Sequence, residues 1–140
     1  MINIDCEQGT PEWHMARAGV ITASNFKLCT TILKSGKNKG EVSKAAKEYA
    51  FRIAVERISG EPLDDNFYET YAMRRGRELE EEARLKHEEN KCILVDQSGI
   101  ILTDDRKFGA SVDGFIDLDG CSEYKCFIGP SSLMPILLDG

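Results

Sequence analysis

The chain has 140 residues, of which 41% are hydrophobic and 30% charged, and its net charge is −6 at neutral pH. That length and composition predict one soluble globular domain over 1–140, long enough to bury a core. No apolar run approaches the ~20 residues that span a bilayer, and Met1-Ile2-Asn3-Ile4-Asp5 lacks the basic and apolar regions of an export signal, which excludes a membrane role and predicts a cytoplasmic protein.

The first predicted helix starts at Pro11, capped by Thr10, and stops near Gly19. Val20-Ile21-Thr22 leads to Ser24, a second predicted cap, and a short helix to about Leu33. A polar, glycine-punctuated loop follows at 35–40. Around it stand Lys27, Lys34, Lys37, Lys39, Lys44 and Lys47 against the single acid Glu41, which read either as a solvated loop or as a patch facing phosphate.

Residues 42–58 read as a helix, with Ala46, Tyr49, Ala50, Ile53 and Ala54 at three- and four-residue steps, ended by Gly60-Glu61-Pro62. A longer helix is expected over 67–89, its packed face made by Ala72, Gly76, Leu79 and Ala83, with Glu80 beside it. Strands are expected at 93–95, 99–103, 110–118 and 122–127. Helices followed by a β-meander predict an α+β or mixed α/β fold. The cysteines Cys6, Cys29, Cys92, Cys121 and Cys126 are odd in number and lack C-x2-C spacing, so they are expected as reduced thiols, with Cys121 and Cys126 partly buried.

The last two strands carry Asp113-x9-Glu123-x-Lys125 across a tight turn at Asp119-Gly120. Alternation puts Glu123 and Lys125 on one face, and Asp113 across the hairpin can aim at it. Two carboxylates and a lysine at one spot can hold Mg²⁺ and activate a water for phosphodiester hydrolysis. Acidic hairpins of this composition also occur as plain solvated surface. Trp13 reads as core, His14 as a local hydrogen-bonding residue, Asp117 and Asp119 as turn, Glu81 and Glu82 as solvated face, and His87 as an exposed helix residue.

Four segments together carry a resemblance: Glu12-Trp13-His14-x-x-Arg17-x-Gly19-Val20-Ile21-Thr22-Ala23-Ser24, Gly76-x-x-x-Glu80, Ser111-x-Asp113-Gly114, and Glu123-Tyr124-Lys125-Cys126. In order and interval they resemble the lambda-exonuclease and YqaJ-type viral recombinase family, a branch of the PD-(D/E)XK nuclease superfamily. The resemblance implies a restriction-endonuclease-like core and a Mg²⁺-dependent DNA exonuclease of phage or prophage recombination, with Mn²⁺ as a substitute metal. It implies cleavage from the 5′-phosphorylated end of duplex DNA in a bacterial host cytoplasm. Asp113, Glu123 and the Tyr124 carbonyl match metal ligands, and Glu80 matches an acid that supports the metal directly or through water. Lys125 matches the lysine that prepares the water, and Arg17 and Ser24 match residues that line a 5′-phosphate pocket.

By resemblance the partners would be double-stranded DNA ends, a single-strand annealing protein and further copies in a ring of three. The family continues past the lysine with a glutamine-bearing helix and more strands, whereas this chain ends at Gly140. The expectation is therefore a core incomplete at its C-terminus, with an apolar tail at 130–140 suited to a partner surface. The alternative reading is a non-catalytic nuclease-fold module that binds DNA ends or a partner protein.

Overall fold

Residues Ile2–Ile4 form strand β1, in which the two isoleucines turn inward and Asn3 outward. In this computed structural model the described residues are 1–63, 70–117 and 119–127, with 129, 134 and 138. The chain gathers into two units, Met1–Asp65 with Ser98–Val112, and Asn66–Gln97 with Asp113–Gly140. Among the described residues no helix is long and apolar enough to cross a membrane.

In the first unit, β1 pairs antiparallel with β3 (Ile100–Leu102), β3 antiparallel with β4 (Phe108–Ala110), and β4 parallel with β2 (Ile21–Thr22). The order β1-β3-β4-β2 makes a mixed four-stranded sheet. Helix α1 (Pro11–Arg17) begins where the Thr10 side chain accepts the Trp13 amide, as the sequence predicts. Trp13 drops into a core with Val20, Ile100 and Leu102, against which Ile2, Ile4, Cys6 and Ala16 pack.

The predicted helix after Ser24 is shorter than expected: a 3₁₀ turn at Ala23–Asn25 and one helical turn, α2 (Phe26–Cys29). The reason is local, because the Thr30 and Thr31 hydroxyls both bond the Lys27 carbonyl and draw the chain out of the helix. The chain then doubles back. Leu33 donates to Glu41 (2.9 Å), Gly40 to Leu33 (2.9 Å) and Ser43 to Thr31 (3.1 Å), so the lysine-bearing loop is a closed hairpin.

Helix α3 (Lys44–Ser59) is capped by Ser43 and stopped by Gly60 in the left-handed region. Its buried residues are Ala46, Ile53 and Glu56, with Tyr49 half-buried, whereas Ala50 and Ala54, expected on this face, are exposed. The stripe runs by alternating steps of three and four, so the apolar positions reached by two fours rotate out to solvent.

In the second unit, α4 (Tyr71–Lys91) is capped by Thr70 and ends at Cys92 in the left-handed region. The expected start of this helix at Phe67 lies outside the described residues. None of the α4 residues is fully buried. Of the expected packed face, Ala72 is exposed and Gly76, Leu79 and Ala83 are half-buried. A Cβ at Gly76 would meet nothing within 4 Å among the described residues, so this glycine does not mark a close helix contact there.

The expected strand at 93–95 is irregular chain. The Val95 amide is taken by the Glu88 carboxylate at 2.8 Å, and pairing begins one residue later as an isolated bridge between Asp96 and Phe115. The expected strand at 110–118 is divided between the units. β4 ends at Ala110 and β5 (Gly114–Ile116) pairs antiparallel with β6 (Gly120–Ser122). The expected tail at 130–140 lies mostly outside the described residues; Met134 and Leu138, which are described, are exposed.

Candidate active site

The β5–β6 hairpin aligns Gly114 with Ser122, Phe115 with Cys121 and Ile116 with Gly120. Gly114 has to be glycine because a Cβ there would strike the Val95 side chain, and it would also sit 3.0 Å from Ser122 Oγ. One step outside the pairing, the Asp113 amide donates to the Ser122 carbonyl at 3.1 Å. In return, the Tyr124 amide donates to Asp113 Oδ2. Asp113 is thereby fixed beside the segment that carries Glu123 and Lys125.

That segment is not itself strand, since β6 stops at Ser122. Of the strand expected over 122–127, Ser122 is in the ladder and 123–127 are not. The extended run still places Glu123 and Lys125 on one side, where the Lys125 ammonium and the Glu123 carboxylate form an ion pair. Glu123 and Lys125 are exposed, and Glu80, Asp113 and Tyr124 are half-buried.

The four charged groups feel one another. Burial raises Glu80 above the usual glutamate range, and the charges of Asp113 and Glu123 push it further, with Lys125 opposing. Burial likewise raises Asp113; the Tyr124 amide and Lys125 pull it back, and Glu123 adds to the rise. Lys125 is raised by its hydrogen bond to Glu123, with burial opposing and the charges of Glu123, Asp113 and Glu80 adding to the rise. Glu80 thus lies within the electrostatic reach of Asp113, Glu123 and Lys125, although it is remote from them in sequence.

The donor set fits a hard divalent cation: carboxylate oxygens, a backbone carbonyl, and two carboxyls raised first by burial and then by neighbouring negative charge, which a bound cation would offset. Among the described residues no three His, Cys, Asp or Glu side chains are already drawn into a metal-holding group. Glu123 is turned to Lys125 and one Asp113 oxygen to the Tyr124 amide.

Two residues near these acids were not singled out by their sequence context. His87, expected as an exposed helix residue, is half-buried, with Nδ1 3.0 Å from the Tyr124 hydroxyl. Arg75 Nη1 donates to the Cys126 carbonyl at 3.2 Å. The spacing of His87 seven residues after Glu80 was the available signal, because it puts both on one helix face. All five cysteines are free thiols; Cys126 is half-buried as expected, but Cys121 is exposed because strand alternation turns its neighbour Ser122 inward instead.

Arg17 and Ser24 belong to the first unit. The Arg17 guanidinium lies over the Trp13 ring, 3.9 Å from its centroid. The Trp13 indole N–H donates to Ser111 Oγ at 2.9 Å, which holds the ring. Burial lowers Arg17 from the usual arginine range; Tyr49 and Glu56 oppose this and Arg52 reinforces it. It remains a cation. Ser24 is not a helix cap: it is an exposed residue of the 3₁₀ turn, its hydroxyl 3.3 Å from Thr22 Oγ1. The Thr22 amide in turn donates to the Tyr49 hydroxyl at 3.4 Å. Tyr49, Thr22 and Ser24 thus form a linked polar group.

A model of the YqaJ-like viral recombinase domain matches residues 12–135. The fold is similar to the crystal structure of an alkaline exonuclease (LHK-Exo) from Laribacter hongkongensis, with a TM-score of 0.69 and 28% identity over 94% of this chain and 60% of that one. It is equally similar to LHK-Exo in complex with dAMP, with a TM-score of 0.69 and 29% identity over the same shares. The chain thus spans 60% of the length of the exonuclease it matches. No curated protein matches it.

Proposed function

The chain belongs to the YqaJ-like viral recombinase family, and from that premise we propose that it is a metal-dependent deoxyribonuclease that degrades duplex DNA from a 5′-phosphorylated end in phage or prophage recombination. The observation that carries this reading is the arrangement of Asp113, Glu123 and Lys125, in which Asp113 accepts the Tyr124 amide and Lys125 pairs with Glu123; Glu80 feels the charges of all three. The likeness to an alkaline exonuclease supports it.

Asp113, Glu123 and the Tyr124 carbonyl would hold Mg²⁺, or Mn²⁺ in its place, with Glu80 assisting directly or through water. When bound, the cation would supply Lewis-acid charge at the phosphoryl oxygen and make a bound water more acidic. Because Glu80 and Asp113 are raised and only the ionised carboxylate is a ligand, metal binding would compete with protons at these two groups. Lys125, raised rather than lowered, stays an ammonium at neutral pH. It is thus suited to orient the water and to stabilise charge on the transferring phosphoryl group, more than to remove a proton itself.

In the hydrolysis, a water oxygen bonds to the phosphorus that joins the terminal nucleotide to the next one. The bond from that phosphorus to O3′ of the terminal nucleotide breaks, and O3′ takes a proton. The terminal nucleotide leaves as a 5′-monophosphate, and the attacked phosphate stays on the shortened strand, so the new end again carries a 5′-phosphate. Arg17 and Ser24 would receive that group. Stacking on Trp13 uses the face of the guanidinium and leaves its N–H edge for a bidentate phosphate contact.

The test is digestion of linear duplex DNA with and without a 5′-phosphate, in Mg²⁺, by the chain and by Lys125→Ala and Arg17→Ala. Digestion that needs metal and falls by about 10²-fold or more in Lys125→Ala is expected, with the 5′-phosphate preference abolished in Arg17→Ala. No digestion by the folded chain would sink the enzyme reading and favour a module that binds DNA ends.

A further inference from the structure

Helix α4 meets the segment after β6 at two places, and Glu80 lies between them in sequence. On the N-terminal side, Arg75 Nη1 donates to the Cys126 carbonyl at 3.2 Å, with the Phe127 carbonyl at 3.5 Å. On the C-terminal side, His87 Nδ1 and the Tyr124 hydroxyl are 3.0 Å apart, and the two rings meet edge to face at 5.9 Å. His87 stands two turns beyond Glu80, so the two side chains leave α4 on the same face.

Tyr124 sits between Glu123 and Lys125, and its amide is bound to Asp113. It is held at the backbone by one acid of the site and at the ring by His87. No residue of α4 is fully buried, and Leu79, Glu80 and Ala83 are half-buried. Among the described residues, directional polar contacts tie this helix to the segment after β6, and the His87–Tyr124 bond joins the Glu80 face of the helix to a residue of the acidic segment.

We propose that His87 is a positioning residue for the metal site: its bond to the Tyr124 hydroxyl sets the Tyr124 carbonyl and Glu80 toward the same cation as Asp113. The inference rests on the metal-dependent reading above. Groups that hold a ligand in place commonly change metal affinity about 10–100-fold when removed.

The experiment is calorimetric titration of Mn²⁺, and separately Mg²⁺, into the chain without DNA, for the parent, His87→Phe, Tyr124→Phe and His87→Asn. Thermal unfolding of each is followed alongside. His87→Phe and Tyr124→Phe keep the rings and delete the bond; His87→Asn restores a polar atom near the Nδ1 position. The expected result is about tenfold weaker binding or more in both phenylalanine variants, an unchanged Tm, and recovery in His87→Asn. Parent-like affinity in the phenylalanine variants would overturn the inference and leave the metal reading standing. Weak binding accompanied by a fall in Tm that His87→Asn does not restore would also overturn it, because the bond would then be structural only. A parent that binds neither cation would remove the metal reading, and the inference with it.

Discussion

The Glu56 carboxylate, 4% exposed on the inner face of α3, accepts the Gly19 amide at 2.9 Å across 37 residues of chain. It also accepts the Leu63 amide at 3.1 Å and Arg52 Nε at 2.9 Å. Burial alone would raise this carboxyl, but the bonds from Gly19, Arg52 and Leu63 outweigh it and hold the group below the usual glutamate range. Glu56→Ala would strand those donors and should cost about 2–4 kcal/mol in urea denaturation. Because the folded pKa is depressed, the contribution of Glu56 is complete above its unfolded value of about 4.3 and is lost as pH falls through the folded value. The parent should therefore lose more stability than Glu56→Ala over that acid range.

Gly19 itself is gripped from both sides, since Arg57 Nε donates to its carbonyl at 2.7 Å. Its φ is +70°, and an added Cβ would fall 2.6 Å from Arg57 Cγ and 3.2 Å from the Arg57 amide nitrogen. Gly19→Ala meets both a left-handed backbone penalty and a clash, and should destabilise by about 1–3 kcal/mol. Because Gly19 closes the turn after Arg17, the same variant should weaken binding of 5′-phosphorylated ends. A measured Tm equal to the parent's would contradict the geometry.

These two residues mark where sequence reading succeeded and where it stopped. Gly19 was legible as part of a motif, and its reason, the approach of Arg57, needed the fold. Thr10 capped α1 as expected because capping is local. The Asp113 end of β5 and the segment carrying Glu123 and Lys125 could be set side by side because a short hairpin is also local, although the expected strand stops at Ser122. β1 was missed because three residues are too few to show a period, and α2 was overextended because Thr30 and Thr31 look neutral until their hydroxyls are seen on Lys27. The His87–Tyr124 contact joins residues 37 apart, and neither residue type announces the other.

Glu80 reverses the sense of Glu56. Its carboxyl is raised by burial and by Asp113 and Glu123, so the folded chain without metal holds its proton more tightly than the unfolded chain does. Stability should then fall as pH rises from about 4.3 through the raised folded value, and stay reduced above it. Glu80→Gln, which carries no charge, should raise the Tm of the metal-free chain at pH 7 and leave it nearly unchanged at pH 3.5. Metal affinity should move the opposite way with pH, rising as Glu80 and Asp113 ionise. A Glu80→Gln chain less stable than the parent at pH 7 without metal would show that burial and like charge do not govern this carboxyl.

The lysine hairpin offers a separate test of the proposed DNA binding. Its closure rests on backbone bonds among Thr31, Leu33, Gly40, Glu41 and Ser43, and Lys34, Lys37 and Lys39 are all exposed. Replacing these three with alanine should therefore leave Tm within the small range expected of surface substitutions. If the lysines face phosphates, binding to duplex DNA should weaken alike for every sequence, and the slope of log K against log salt should flatten by about 0.9 for each phosphate no longer neutralised. A salt slope unchanged from the parent's would make the hairpin a solvated loop and move the DNA track elsewhere on the protein.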